Sequence, residues 1–269
     1  MYRLLALDLD GTLLRHDQRV DERDIAAINE LQRAGVTVTI VTGRMHSGSL
    51  GAARACGIEG AIACVEGSHL VHVGSNETLY HHPIEPDIAT LLRTTFGAHG
   101  LSSFVFDAHG IHHDHGGTPY ATYVSTWSPT LRVVEEAVAW DTAPLAAVAI
   151  GDRDAVSAAA EQLRGHADRL FSVHFPVSMV PGKYAILARA AGPTKGTALR
   201  ELCARIGCTT ADAVAIGDWV NDIPMFEVAG RSFVMGSAPE HVAAKASDRL
   251  VSVAGDGGGI AEAIQRAWG

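Results

Sequence analysis

The stretch LLALDLDGTLL, residues 4–14, runs through apolar residues and then sets Asp8 and Asp10 ahead of Gly11 and Thr12. A short continuous apolar run predicts a strand covered on both faces, as in parallel sheets. Alternation along that strand puts Asp8 and Asp10 on one side. In an open α/β sheet the reactive crevice lies beyond the carboxyl ends of the strands. Two carboxylates about 4 Å apart repel by about 4 kcal/mol at an effective dielectric near 20, so something with positive charge is expected between them.

The segments around this strand repeat one rhythm. DERDIAAINELQRAG, residues 21–35, predicts a helix capped by Asp21, with Ile25, Ile28 and Leu31 on one face and Gly35 as its stop. VTVTIVTG (36–43) and GAIACVEG (60–67) predict the second and third strands. Toward the C-terminus, TKGTALRELCARIG (194–207) predicts a helix capped by Thr194, and AVAIGD (213–218) a buried strand. A short helix ended by Gly230, the strand SFVMG and two closing helices complete the pattern. The fold class expected is α/β, a Rossmann-like doubly wound parallel-sheet core. From 83 to 189 the strands look shorter and paired, with a hairpin around Ala108–Gly110 and a helix at Ala155–Arg164. This predicts an α+β domain at 83–189 inserted into a core made of 1–82 and 190–269.

Composition narrows the function classes. Of 269 residues 47% are hydrophobic, and 21 Lys plus Arg against 30 Asp plus Glu leave a net charge of −9. No basic stripe is available to displace counterions, which argues against nucleic acid or an anionic membrane surface as partner. A small anionic molecule needs only a few local cations and remains open. Cys56, Cys64, Cys203 and Cys208 have no C-x-x-C pair or disulfide-framework spacing, so reduced thiols are expected. The apolar run from Leu4 stops at Asp8, no secretory pattern is present, and no segment nears the ~20 apolar residues of a membrane span. A cytoplasmic protein is expected. Nothing in the sequence bears on oligomeric state.

The other strand ends carry matching chemistry. Thr42, Gly43 and Arg44 offer a hydroxyl and N–H groups at a strand-to-helix turn suited to phosphoryl oxygens. Lys195 opens a helix, where the dipole disfavours a cation unless it faces an anion. GDWVND gathers Asp218, Asn221 and Asp222 in one turn, and Asp218 is the natural third oxygen ligand for a hard divalent cation such as Mg²⁺. Acids at two strand ends thus hold a cation, and a threonine and a lysine hold the anion that the cation also binds, best read as a phosphoryl group.

The ordered set DLDGT, TGR, TKG and GDWVND resembles the haloacid dehalogenase-like hydrolase superfamily, and the insertion between its second and third motifs resembles the larger cap of the Cof-type phosphatases. The resemblance implies that Asp8 is the nucleophile and forms an aspartyl phosphate, with Asp10 as general acid and then base. It further implies Mg²⁺ held by Asp8, the Asp10 backbone carbonyl and Asp218, oriented by Asp222. Thr42, Gly43, Lys195 and Asn221 would lie around the phosphoryl group; Lys183 in PGK is the rival for the third-motif lysine. The function expected is a Mg²⁺-dependent phosphatase for a small phosphorylated metabolite. The alternatives are a phosphotransferase or mutase using the same intermediate, and a non-catalytic phosphate-binding regulatory module. Glu66 stands where Cof-type proteins commonly have Asn, and Trp219 is bulkier than usual. HGIHHDH, residues 109–115, is expected to be a polar hairpin, although His113 and His115 sharing a strand face could offer a metal site. GDGGGI near the C-terminus opens no dinucleotide fold.

Overall fold

The computed structural model describes residues 2–269. In chain order the elements begin with β1 (Leu4–Leu7), α1 (Glu22–Arg33), β2 (Thr37–Ile40), α2 (His46–Ala55) and β3 (Ala61–Cys64). The strands β4 (His69–His72) and β5 (Thr78–His81) follow, then α3 (Pro86–Ala98), β6 (Ser102–Phe106), β7 (Ile111–His113), α4 (Ala121–Val124) and β8 (Leu131–Val133). Next come α5 (Glu136–Trp140), β9 (Ala146–Asp152), α6 (Arg153–Leu163), β10 (Leu170–Pro176) and β11 (Lys183–Ala190). The chain closes with α7 (Lys195–Arg205), β12 (Ala213–Gly217), α8 (Ile223–Phe226), β13 (Arg231–Val234), α9 (Glu240–Ala243), β14 (Asp248–Arg249) and α10 (Gly259–Trp268). Two compact units result: one holds the chain before and including Tyr80 and from Pro193 onward, the other is His81–Gly192.

In the first unit five parallel strands are ordered β14-β13-β12-β1-β2. A parallel bridge between Val41 and Ala63 carries the arrangement on to β3, which pairs antiparallel with β4. The β1 strand is buried along its whole length, as its unbroken apolar run requires. The chain steps from β1 to β2 on one side and later lays β12 on the other, so the strand order reverses at β1. A crevice opens at the carboxyl ends there. Asp21 caps α1, its Oδ1 accepting from the Arg23 N–H at 2.9 Å. Thr194 and Thr197 form a reciprocal capping box on α7. Leu4, Ala6, Leu199, Leu202, Ala213 and Ala215 belong to the apolar cluster under the sheet.

The second unit is a six-stranded sheet ordered β10-β11-β9-β6-β7-β8, antiparallel except for β7 with β8. Its core joins Ile88, Leu92 and Phe96 of α3, Val156, Ala159 and Leu163 of α6, and Ala147 and Ala149 of β9.

Two expectations are corrected by the structure. The helix expected to run to Gly230 ends at Phe226; Gly230 is required instead by the Ala211 carbonyl oxygen, which a Cβ there would meet at 2.0 Å. His113 and His115 share no strand face, because β7 stops at His113 and His115 begins a 3-10 turn. His112 Nε2 lies 3.1 Å from Asp107 Oδ2 and His113 Nδ1 2.7 Å from the Asp114 carbonyl oxygen, so these rings are engaged within the hairpin. The glycines of GDGGGI lead into α10, whose first N–H groups are taken by Asp24: Gly258 donates to its Oδ2 and Ala261 to its Oδ1, each at 2.8 Å.

Candidate active site

The strand order brings the sequence motifs together at one rim. Leu7 of β1 is in register with Ile216 of β12 and Ile40 of β2, so Asp8, Asp218 and Thr42 all follow the last residues of adjacent strands. The Asp8 N–H donates to the Ile216 carbonyl at 3.0 Å, fixing the backbone from which its side chain leaves the sheet. Gly11 permits the exit: its φ is +79°, and a Cβ there would lie 2.5 Å from Asp218 Oδ2.

Lys195 is the centre of the charge arrangement. Its side chain is fully buried, and Nζ donates to Asp8 Oδ1 at 2.5 Å and Asp222 Oδ1 at 2.7 Å. Burial alone would push the ammonium down, but Asp222, Asp8 and Glu66 outweigh it and hold it well above its ordinary value. A lysine at the first turn of a helix is therefore explained by two carboxylates. Lys183, the rival, lies in the second unit and donates to Asp152 at 2.8 Å.

Asp222 uses both oxygens within the protein. While Oδ1 faces Lys195, Oδ2 accepts from the N–H groups of Asp218 and Trp219 at 2.8 and 3.0 Å. Gly217 is obligatory beside it, since a Cβ there would meet Asp222 Cγ at 2.4 Å. Asp222 thereby sets the backbone that presents Asp218. Thr12 Oγ1 donates to Asp218 Oδ1 at 3.0 Å. Burial, then the charge of Asp222, pushes the Asp218 carboxyl up to about 6. Asp8 is pushed well above the ordinary carboxylate range, first by burial and then by Asp222 and Asp218, against the pull of Lys195.

Oxygens of Asp8, Asp218 and Asp222 lie within 4.8 Å of one another, the only such group of potential metal ligands among the described residues. Three clustered carboxylates against one lysine leave excess negative charge that a divalent cation would neutralise. Oxygen-only donors suit a hard ion. The donor set fits.

Asp10 departs from the expected pairing with Asp8. Its carboxylate is half exposed and engaged by Arg44, with Nε donating to Oδ2 at 2.8 Å and Nη2 to Oδ1. The acids that face Asp8 are Asp222 and Asp218. The strand ends at Leu7 and the chain turns from Leu9 on, so the i, i+2 rule no longer holds at Asp10, whose side chain reaches the second motif. Thr42 is buried; its Oγ1 accepts from the Arg44 N–H at 3.1 Å. Asn221 Nδ2 donates to Glu66 Oε1 at 2.9 Å. The contacts of the Arg44 guanidinium with Asp10 and of the Glu66 carboxylate with Asn221 are what motif reading does not assign. For Arg44 the signal was its place in TGR; for Glu66 it was the departure from Asn.

A profile described as haloacid dehalogenase-like hydrolase matches residues 5–264. The chain is 28% identical over 246 residues to a protein of Yersinia pseudotuberculosis named HMP-PP phosphatase, covering 88% of this chain and 85% of that one. A crystal structure of a haloacid dehalogenase-like hydrolase from Bacteroides thetaiotaomicron superposes with a TM-score of 0.86 at 24% identity, over 99% of both chains. A Thermotoga maritima structure gives 0.80 at 21% identity, over 99% of this chain and 97% of that one. Among the described residues no helix is long and apolar enough to cross a membrane.

Proposed function

The chain belongs to the haloacid dehalogenase-like hydrolase family, and from that premise we propose that it is a Mg²⁺-dependent phosphatase of the Cof type, hydrolysing a small phosphorylated metabolite through an aspartyl phosphate on Asp8. The observation that carries this reading is the buried Lys195 bridging Asp8 and Asp222 beside Asp218. Asp8 and Asp218, with the Asp10 carbonyl, would hold Mg²⁺, which supplies charge neutralisation to the carboxylates and to the phosphoryl oxygens.

The side chains divide the remaining work. Lys195 fixes Asp8 by Oδ1, which leaves Oδ2 to attack phosphorus as the bond to the leaving oxygen breaks. Lys195 also carries positive charge to the equatorial oxygens, together with Thr42 and the Gly43 N–H. Asp10 donates a proton to the leaving oxygen and then takes one from the water that cleaves the aspartyl phosphate. Its present partner is Arg44, so this role requires the carboxylate to leave that guanidinium when substrate binds. Asp222 positions Asp218 and Lys195, and Asn221 stands beside the phosphoryl seat. The 83–189 insertion serves as the cap and sets which metabolite is accepted. The relatives named HMP-PP phosphatase make HMP-PP the first compound to assay, followed by a panel of phosphorylated metabolites.

The test is release of phosphate from an aryl phosphate by purified protein with Mg²⁺. Asp8→Asn keeps the shape of the side chain and removes the nucleophile. Turnover is expected to fall by at least about 10³-fold, as for other essential catalytic groups. Mg²⁺-dependent turnover retained by Asp8→Asn would exclude the proposed role.

A further inference from the structure

The turn after β3 has an unusual backbone. Val65, Glu66 and Gly67 take left-handed conformations in succession, with φ of +49°, +55° and +93°. Glycine adopts these freely, whereas a β-branched residue or a glutamate there is strained, and such strain persists where the surroundings impose it. The surroundings here are the site's own loops. Val65 N–H donates to the Arg44 carbonyl and Glu66 N–H to the Thr42 carbonyl, both at 3.0 Å. On the other side Gly67 backs onto the start of α7, where an added Cβ would lie 2.7 Å from the Thr194 carbonyl oxygen.

The strained turn delivers one carboxylate to the rim. Glu66 Oε1 accepts from Asn221 Nδ2 at 2.9 Å and occupies the space beside Gly43, where a Cβ would approach it to 2.5 Å. A single acid thus bridges the loops that follow β2, β3 and β12. Glu66 is outside the cluster of potential metal ligands. The close partners of Lys195 are Asp8 and Asp222, and Glu66 acts on it only as a further charge. Among the described residues no cation pairs with Glu66, and its hydrogen-bond partner is a neutral amide. Backbone geometry does not explain the choice, since asparagine tolerates left-handed φ better than glutamate. A carboxylate without a direct ion-pair partner beside the seat of a phosphate opposes retention of that phosphate.

We propose that Glu66 is a positioning residue with a second, electrostatic effect: it holds the Asn221 carboxamide with its N–H₂ side toward the turn, and its charge prevents tight retention of the product phosphate. An acceptor-only partner fixes the orientation of an amide that could otherwise flip. This inference rests on the phosphatase reading and concerns the same site.

Glu66→Gln separates charge from shape, because the amide keeps the length and one acceptor. Inorganic phosphate is used as competitive inhibitor of aryl phosphate hydrolysis in the presence of Mg²⁺. The inhibition constant of Glu66→Gln is expected to fall about tenfold relative to the wild type, with KM falling in the same direction and kcat not rising. Should the variant be inactive, calorimetric titration of both proteins with phosphate and Mg²⁺ reads the same difference. A phosphate affinity unchanged or weakened in Glu66→Gln overturns the inference, whatever the melting temperature does; a purely structural carboxylate would shift only the latter. A wild type with neither Mg²⁺-dependent hydrolysis nor phosphate binding overturns the phosphatase reading and this inference together. An active wild type with unchanged phosphate affinity in the variant defeats this inference alone.

Discussion

At the scale of the residue, the site is an excess of carboxylate charge held in place by one lysine. Asp8 and Asp218 are both pushed upward in the folded protein, Asp218 to about 6 against an ordinary 3.8, and burial is the first cause for each. The folded state therefore binds more protons than the unfolded chain between those values. Their contribution to stability is lost as pH rises through that window. A cation that binds only the folded, ionised cluster restores it. The increase in melting temperature caused by Mg²⁺ over EDTA is accordingly expected to be larger at pH 7 than at pH 5. Thermal scans in both additives at both pH values check this, and an equal shift at the two pH values would contradict the cluster as the binding site. Asp8, Asp218, Asp222 and Lys195 were legible because chemistry at a strand end restricts the residue types that can stand there. The partner of Asp10 was not: where its carboxylate goes depends on how the chain leaves the strand after Leu7, and Arg44 is 34 residues away.

Among the elements, legibility followed local physics. The strand β1 and the helices α1 and α7 carry their periodicity and their caps in contiguous residues, and Asp21 and Thr194 cap as expected. The short strands β4 and β5 carry no comparable pattern; they follow β3 as successive neighbours in a three-stranded sheet. Asp24 illustrates the limit most clearly. In sequence it is an acid in the first turn of α1; in the structure it is fully buried and satisfies two N–H groups at the start of α10. Removing one cap costs about 1 kcal/mol, whereas Asp24→Ala leaves two partly buried donors without a partner, at about 1 kcal/mol each. Asp24→Ala is therefore expected to destabilise the protein more than Asp21→Ala, by at least about 1 kcal/mol in denaturant unfolding. Equal midpoints for the two variants would refute the bridging role of Asp24.

For the whole molecule, the decisive feature is the reversal of strand order at β1. It gathers the ends of β1, β2 and β12, and with them residues as distant in sequence as Asp8 and Asp218. An alternation of strands and helices implies such a sheet but not which strands adjoin; the four motifs imply the adjacency only if they share one ion and one phosphoryl group. Capture of the phosphoryl group on Asp8 reports that shared site. Protein mixed with labelled substrate and Mg²⁺, quenched in acid within one turnover and digested, should yield label on the peptide containing Asp8. The same protein stripped with EDTA should yield none. Substrate turnover without a labelled peptide, or label on another residue, would contradict the account.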